Sequence, residues 1–186
     1  MAIGILALQG AFREHADALE KLSVKYKFIR NISDLDTPLD GIILPGGEST
    51  VQRKLAKELG LLDPIKALIE NGVPVLGTCA GLILLSQEIS GGEDTAFGTL
   101  PVTVCRNAYG RQLGSFSTVG NVGSISDFPM RFIRAPYIEK VLSDDTEVLN
   151  ITNNKITAVR YKNQIGVSFH PELTSDLRLH QMLLSL

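Results

Sequence analysis

The chain has 186 residues, of which 44% are hydrophobic and 20% charged, and its formal net charge is -2 with neutral histidines. This length suits a single domain that buries roughly 70% of the surface of its unfolded chain, and the composition is that of an ordinary globular protein. A small net charge without runs of like charge argues against a nucleic-acid partner or an anionic membrane surface.

The cysteines, the amino terminus and the apolar runs narrow the class of protein further. Cys79 and Cys105 fit neither a disulfide framework nor the spacing of a zinc site. The first residues lack the basic region of a signal peptide, and no run reaches the roughly 18 apolar residues of a membrane span. We therefore expect one cytoplasmic domain over residues 1–186, with reduced thiols, no membrane contact and no metal.

The first half of the chain alternates apolar runs with helical patterns. Short apolar runs predict buried strands at residues 2–8, 26–29, 39–45 and 73–77. Helical spacing or an N-cap signal predicts helices at residues 12–22, 49–59, 63–72 and 80–89. This alternation predicts an α/β fold with right-handed crossovers and a mostly parallel central sheet flanked by helices.

Two of these helices allow a sharper prediction. Val51, Leu55 and Leu59 stand four positions apart, which places them on one face of the second helix. Asp63 is an N-cap type residue followed by Pro64, which favours the first helical position, so the third helix is predicted to begin there.

The second half of the chain changes to β-type segments. Turn residues separate the predicted strands "LPVTVC", "QLGSFSTV", "RFIRA", "TEVLNI", "KITAVRY" and "QIGVSFH". We expect these segments to add strands and β-hairpins to the same sheet, with turns at "NNK" and "KNQ". A last helix is predicted over residues 175–186, with Leu179 and Leu183 on one face.

Three unusual stretches follow predicted strands. "PGGEST" comes after the third strand, "GTCAG" after the fourth and "SFHPEL" after the last. In an open α/β sheet, ligands bind beyond the carboxyl ends of the strands. The three stretches are therefore expected to meet at one edge of the sheet and to form a site.

Cys79 lies on the predicted joint between the fourth strand and the following helix. Such a turn exposes its central residue in a strained backbone, and the first N–H groups of the helix can stabilise a thiolate or an oxyanion. These features make Cys79 a candidate nucleophile and the N–H of Ala80 a candidate oxyanion donor. A packed cysteine at a tight joint explains this stretch equally well when it is taken alone.

His170 and Glu172 stand two residues apart in an extended segment, so their side chains are expected to face the same way. Pro171 between them suits a strand end because it has no N–H to donate. A histidine beside a carboxylate has the chemistry of a base and its orienting group, the second and third members of a nucleophilic triad. His15 and His180 are interpreted as ordinary polar residues.

Glycines and arginines favour an anionic ligand. The glycines of "PGGEST" can turn backbone N–H groups toward an anion or an oxyanion, although a turn with an N-cap explains the stretch equally well. Residues 105–135 contain a single acid against four arginines, and arginine binds carboxylates with two parallel hydrogen bonds. Candidates for an α-carboxylate site, a partner surface or solvated charge are Arg106, Arg111, Arg131 and Arg134.

Taken together, the motifs resemble a known family. "GTCAG" with "SFHPEL" is similar to the class I glutamine amidotransferases. "LQGAFREH", "LPGGEST", "RNAYGRQ" and "FIRAP" narrow the resemblance to the glutaminase subunits of pyridoxal 5'-phosphate synthase. The resemblance covers residues 8–173 and implies a flavodoxin-like glutaminase fold that hydrolyses L-glutamine to glutamate and ammonia without a cofactor.

The resemblance also implies roles for individual residues. Cys79 would be the nucleophile, with His170 and Glu172 completing the triad, and the N–H of Gly47 would join that of Ala80 in the oxyanion hole. Glutamine would contact Gly47, Glu48, Ser49, Arg106, Ile133 and Arg134. Ammonia would pass to a synthase subunit, a TIM barrel in a hetero-oligomeric complex, which combines it with ribose 5-phosphate and glyceraldehyde 3-phosphate. Residues 8–10 would lie near that partner.

Three alternatives belong to different classes of protein. A glutaminase that serves another synthase, such as the one making imidazole glycerol phosphate, would share the triad and differ at "LQGAFREH" and "RNAYGRQ". A redox-sensing or stress protein of the same fold would not need the His-Pro-Glu element. A catalytically inactive binding module would not need the intact triad of Cys79, His170 and Glu172.

Overall fold

A computed structural model describes residues 2–106 and 115–186 of the chain. The helices in these ranges are α1 (Phe12–Lys21), α2 (Ser49–Glu58), α3 (Leu62–Glu70), α4 (Ala80–Leu85) and α5 (Arg178–Leu184). Short 3₁₀ turns lie at Ile32–Leu35 and Pro171–Leu173. Within the described ranges, no helix has the length and apolar character that crossing a membrane requires.

The strands make up most of the second half of the chain. In chain order they are β1 (Ala2–Leu6), β2 (Lys25–Ile29), β3 (Gly41–Leu44), β4 (Val75–Thr78), β5 (Ser86–Ile89), β6 (Leu100–Cys105), β7 (Ser115–Val122), β8 (Ile125–Ile133), β9 (Tyr137–Val141), β10 (Glu147–Thr152), β11 (Lys155–Tyr161) and β12 (Gln164–Val167).

The main sheet has the order β2-β1-β3-β4-β12-β11-β9-β6-β5, and β10 pairs with β11 beside it. From β2 to β12 all neighbouring strands run parallel. Beyond β12 the pairs of β11 with β12 and β9, and of β9 with β6, are antiparallel. The predicted α/β fold, with a mostly parallel central sheet and additional hairpins late in the chain, is confirmed.

Both faces of the parallel strands are buried. Alternate residues of a strand point to opposite sides of the sheet, and on each side they pack into an apolar cluster. Ile3 and Ile5 pack with residues of α1 and α5 in one cluster, whereas Leu6 packs with residues of α2, α3 and α4 in another. The two clusters lie on opposite faces of the sheet. Near-continuous apolar strands such as β1 and β3 suit this arrangement.

The β7–β8 hairpin differs from the prediction that the late strands all join one sheet. Among the described strands, β7 and β8 pair with each other and form a separate two-stranded sheet. Side chains on one side of the hairpin are buried against the cluster of α1 and α5, including Val122, Phe128, Met130 and Phe132. The hairpin therefore covers the main sheet, as a helix would, instead of extending it.

The helix predicted over residues 80–89 is wrong in its second half. α4 ends at Leu85, and the next four residues form β5, which pairs in parallel with β6. The hydroxyl of Ser86 donates a hydrogen bond of 2.8 Å to the carbonyl of Ile83. This bond satisfies one of the carbonyl groups that the end of a helix leaves free.

The predicted second helix is present as α2, but its apolar face is not the face that is buried. Val51 and Leu59 are 42% and 40% exposed, whereas Gln52 on another face is fully buried. The side-chain amide of Gln52 donates hydrogen bonds to the carbonyls of Gln9 at 2.7 Å and Pro45 at 3.2 Å. The two hydrogen bonds of Gln52 to neighbouring loops therefore orient α2, and they do so at the expense of burying its apolar side chains.

The third helix begins two residues before its predicted start, which had Asp63 as the N-cap and Pro64 as the first helical residue. Leu61 is the N-cap of α3, and Asp63 and Pro64 lie inside the first turn. Proline is tolerated there because the first N–H groups of a helix have no partner within the helix.

Candidate active site

The three unusual stretches meet at one edge of the sheet, as predicted. β3, β4 and β12 are neighbours, and each stretch follows the carboxyl end of one of them. Together they surround a cavity of about 220 Å³. Every residue to which the resemblance assigns a catalytic or glutamine-binding role, except Glu172, lines this cavity, and Gln9, Ile83 and Pro136 line it as well.

Cys79 occupies the bend between β4 and α4 with a φ of 49°, a value that residues other than glycine rarely adopt. Its N–H donates to the carbonyl of Val167 on β12 at 2.8 Å, so the neighbouring strand holds the bend. Gly81 has no room for a side chain, because an added Cβ would lie 1.9 Å from the carbonyl oxygen of Leu44. Surrounding backbone therefore fixes a strained turn that presents Cys79 to the cavity.

His170 and Glu172 are joined by a hydrogen bond of 2.7 Å between Nδ1 and Oε1. The chain makes a 3₁₀ turn at Pro171–Leu173 instead of continuing as a strand, so a turn and not a shared strand face brings the two side chains together. The N–H of His170 donates to the carbonyl of Arg131 on β8 at 2.8 Å. The carboxylate of Glu172 is completely buried behind the imidazole.

The electrostatics of this pair favour a protonated imidazole. Burial lowers the pKa of His170, but hydrogen bonds with Cys79 and Glu172, and their negative charges, outweigh burial and raise the pKa to about 10. Burial also opposes the ionisation of Glu172, yet the neighbouring His15 and His170 lower its pKa. At neutral pH the site therefore holds an imidazolium between a sulfur and a carboxylate.

The loop after β3 forms a wall of the cavity with its backbone. A Cβ added to Gly46 would lie 2.3 Å from Cε1 of His170, and one added to Gly47 would lie 2.5 Å from Oε1 of Gln9. Oε1 of Gln9 accepts the N–H of Glu48 at 2.7 Å. Glycine is required at Gly46, because the imidazole ring lies so close to its backbone, whereas at Gly47 the nearest atoms are the ends of flexible glutamine side chains that can shift.

Arg106 binds two carboxylates beside the cavity. Its guanidinium lies 3.3 Å from Glu48 and forms a second, shorter ion pair with Glu93. Ile133 is the last residue of β8, and Arg134 follows it with a φ of 43°. Arg106, Ile133 and Arg134 all line the cavity, so two arginines border it, as expected for a site that binds a polar ligand.

The other two candidate arginines do not contribute to the cavity lining in the described ranges. Arg131 is exposed and lies outside the cavity lining. Arg111, with most of the motif "RNAYGRQ", lies outside the described residues.

Neither His15 nor His180, both interpreted as ordinary polar residues, lines the cavity. Both are completely buried, and Nδ1 of His15 lies 3.0 Å from Nε2 of His180. Nε2 of His15 lies 3.2 Å from the hydroxyl of Thr78 and 3.5 Å from Oε2 of Glu172. The hydroxyl of Thr78 in turn accepts the N–H of Gly46 at 3.0 Å. Two core histidines therefore contact the residues that support the site.

Sequence reasoning also missed Gln9, Ile83 and Pro136 as cavity residues. A signal for Gln9 was available, because β1 is a predicted strand of the same sheet and its carboxyl end lies at the same edge. For Ile83 the signal was its position about one helical turn after Cys79, which places the two residues on the same side of α4. Among the described residues, no group of three His, Cys, Asp or Glu side chains is arranged to hold a metal ion.

The chain matches known proteins over nearly its whole length. The model of the SNO glutamine amidotransferase family matches residues 5–185. A protein of Desulfitobacterium hafniense named pyridoxal 5'-phosphate synthase subunit PdxT is 54% identical over 184 residues, which are 99% of this chain and 92% of the relative. A protein of the same name from Haemophilus influenzae is 50% identical over 189 residues, with 100% and 98% of the two chains covered.

Solved structures agree in the fold. A structure titled as a glutamine amidotransferase superposes with a TM-score of 0.93 at 43% identity and covers 98% of this chain and 97% of its own. The structure of PurLQS from Thermotoga maritima superposes with a TM-score of 0.64 at 19% identity, with 99% and 97% of the chains covered. At this lower identity the likeness concerns the fold alone.

Proposed function

Because the chain belongs to the SNO glutamine amidotransferase family, we propose that it is the glutaminase subunit of a pyridoxal 5'-phosphate synthase. It hydrolyses L-glutamine to L-glutamate and supplies the ammonia to a synthase subunit. One glutaminase domain spans residues 1–186. The observation that carries the proposal is Cys79, held on a strained turn at the cavity wall beside the hydrogen-bonded pair of His170 and Glu172.

Cys79 is the nucleophile in the first half of the reaction. Its thiolate attacks the side-chain amide carbon of glutamine, and the N–H groups of Gly47 and Ala80 stabilise the oxyanion of the tetrahedral intermediate. The imidazolium of His170, oriented by Glu172, donates its proton to the departing nitrogen. The carbon–nitrogen bond breaks, ammonia leaves, and a γ-glutamyl thioester remains on the sulfur.

Water completes the reaction. The neutral imidazole of His170 takes a proton from a water molecule as its oxygen attacks the thioester carbon. The carbon–sulfur bond then breaks, and the product leaves with a γ-carboxyl group that releases the second proton of the water molecule to solvent. Cys79 returns to the thiolate and His170 to the imidazolium, so the site is ready for another glutamine.

Glutamine is bound by the cavity wall. The guanidinium of Arg106 suits the α-carboxylate, because arginine binds carboxylates with two parallel hydrogen bonds. In the free protein this group is occupied by Glu48 and Glu93, so the substrate exchanges those ion pairs for its own. The remaining contacts come from Gly47, Glu48, Ser49, Ile133 and Arg134.

The ammonia is used by a partner subunit. The names of the relatives at 54% and 50% identity describe them as synthase subunits, which supports a hetero-oligomeric complex. The partner is a TIM barrel that combines ammonia with ribose 5-phosphate and glyceraldehyde 3-phosphate. Residues 8–10 lie near this partner, and the position of Gln9 in the cavity wall supports contact between the partner and the site.

A glutaminase that serves another synthase has less support. Relatives that match the chain over nearly its whole length carry the pyridoxal 5'-phosphate synthase name, whereas the PurLQS structure is 19% identical and shares the fold alone.

The decisive experiment measures ammonia release from L-glutamine by the purified chain, with and without the synthase subunit. Cys79→Ala should abolish release and leave the fold intact, because it removes the nucleophile and only one atom of the side chain. Cys105→Ala is the matched control and should retain activity, since Cys105 lies in β6 and outside the cavity lining. Release that persists in Cys79→Ala would reject the triad, and release indifferent to the partner would assign the chain to another synthase.

A second readout separates an enzyme from an inactive binding module. A glutamine-like electrophile should label Cys79 and not Cys105, as peptide mass spectrometry would show. An unlabelled Cys79 together with no release of ammonia would support the binding module.

A further inference from the structure

A buried chain of histidines lies behind the proposed triad and takes no part in the mechanism described so far. His180 on α5 contacts His15 on α1 at 3.0 Å, and His15 approaches Glu172 at 3.5 Å. All three side chains are buried, and Glu172 has no normal hydrogen bond to Oε2 from the described residues. A buried carboxylate oxygen without a hydrogen-bond donor is costly. Whether Nε2 of His15 carries a hydrogen toward Oε2 therefore affects the stability of the buried carboxylate.

The hydrogen bonds around the two histidines decide which ring is the donor in the contact between His180 and His15. If Nδ1 of His15 carries the proton, Nε2 turns a lone pair toward the carboxylate of Glu172, and His180 must bury an N–H at Nδ1 that has no partner in the described residues. In the opposite arrangement His180 donates from Nε2 to His15, and His15 directs its Nε2–H between Thr78 and Glu172. We assign the second arrangement, because it leaves a bare acceptor in place of an orphaned donor.

The charge state of the histidines agrees with this direction. Burial lowers the pKa of His15 more than the charges of Glu172 and Glu14 raise it, and the nearby His170 lowers it further. Burial, with a smaller effect of His15, lowers the pKa of His180 to about 3. Both rings are therefore neutral at physiological pH, and His15 acts on Glu172 as an N–H dipole.

We propose that His15 is a positioning residue of the glutaminase, which directs its Nε2–H toward Glu172 and so holds that carboxylate in place against His170. The same nitrogen contacts Thr78, whose hydroxyl accepts the N–H of Gly46, so one histidine supports both the triad and the loop after β3. His180 fixes the tautomer of His15 from the opposite side. This inference rests on the proposed function.

Two substitutions at residue 15 separate positioning from packing. Glutamine places its amide near the Nε2 position of histidine and keeps a donor toward Glu172, whereas asparagine reaches only the Nδ1 position and the contact with His180. We expect His15→Gln to retain activity within about threefold, and His15→Asn to lower kcat/KM about ten- to a hundredfold, the range seen when metal-binding residues lose the hydrogen-bond partners that orient them. The loss should fall on kcat rather than KM, since His15 does not line the cavity. Activity is measured on the complex with the synthase subunit.

The second readout is the pH dependence of alkylation of Cys79 by iodoacetamide, followed by mass spectrometry of the Cys79 peptide. Without the His15 donor, Glu172 is protonated more easily and holds the imidazolium of His170 less well. Both effects move the acid limb of the profile to higher pH in His15→Asn and leave it in place in His15→Gln. This assay needs no glutamine, so it tests the inference even if the wild-type chain releases no ammonia and the proposed function fails.

Leu19→Ala is the stability control, because Leu19 is buried on the same helix and faces the same core. It should lower the melting temperature without moving the pH profile. The inference is overturned if His15→Asn behaves like Leu19→Ala, or if the Gln and Asn variants lose activity equally. Should His15→Asn fail to fold, His180→Leu provides the same test with a smaller shift in the same direction, and an unchanged acid limb there would overturn it.

Discussion

The backbone of Gly46 lies directly against His170 of the proposed triad. A Cβ at this position would lie 2.3 Å from Cε1 and 2.8 Å from Nδ1 of His170. Gly46→Ala should displace the imidazole from both Cys79 and Glu172, and a displacement near 1 Å lowers rates about a hundredfold. Steady-state ammonia release, with circular dichroism to verify folding, measures this effect on kcat/KM.

Gly120→Ala is the matched control for that substitution. Gly120 lies in β7, away from the cavity, and its added Cβ would meet mainly the flexible end of Met130 at 3.1 Å. Activity near the wild-type level is expected for this variant. Comparable activity in the two variants would show that the position of the His170 imidazole does not depend on the absence of a side chain at Gly46.

The residues of the site differ in how far the sequence predicts them. Cys79, His170 and Glu172 could be predicted because each lies in a short local pattern, a strained joint or a His-Pro-Glu element. His15 could not, since its partners come from α5 and from the turn after β12, far along the chain. Its place on the buried face of α1, three residues after Phe12, was the available signal.

At the scale of the elements, α4 is short and closely packed. All six of its residues are buried, and Gly81 brings its backbone against β3. Gly81→Ala should lower the free energy of unfolding by about 3 kcal/mol or more, because the new Cβ would lie 1.9 Å from a backbone oxygen that cannot easily move. Urea denaturation measures this loss.

Gly91→Ala provides the comparison for that helix. Gly91 has a φ of 96°, but an added Cβ would meet nothing within 4 Å. Only the cost of the left-handed backbone remains, about 1–2 kcal/mol. Equal losses in the two variants would mean that α4 can move away from β3, contrary to the packing described above.

The position of a helix or strand could be predicted from the sequence where the burial of apolar residues alone determines it. The apolar strands β1, β3 and β4 were located within a few residues, because a fully buried strand needs an apolar run. The face of α2 and the end of α4 were not predictable, since a hydrogen-bonded Gln52 and a pairing with β6 decide them. Both depend on contacts that no local pattern contains.

At the scale of the whole molecule, buried histidines make the fold sensitive to acid. The pKa of His180 is lowered to about 3 and that of His15 is also lowered, so in the folded protein both take up protons at a lower pH than unfolded histidines, whose pKa is about 6.5. Unfolding then binds protons, and stability falls as the pH decreases from about 6.5 toward 3. Glu172, whose pKa is also lowered, adds to this loss at the acid end of the range.

Urea titrations at a series of pH values between 4 and 7 would measure this dependence. Each buried histidine contributes at most about 1.4 kcal/mol per pH unit. His180→Leu should therefore reduce the slope by up to that amount, whatever its effect on stability at pH 7. A slope equal to that of the wild type would show that His180 is protonated in the folded protein.

The position of β12 has a consequence for how the protein is made. This strand comes late in the chain, yet it lies in the centre of the sheet between β4 and β11. Until it emerges from the ribosome, β4 has an open edge, and a nascent chain with such an edge is prone to associate with others. The same segment leads directly to His170 and Glu172. Synthesis of the last strand therefore closes the sheet and brings His170 and Glu172 to the edge at which Cys79 lies, so a chain that still lacks β12 also lacks an assembled site.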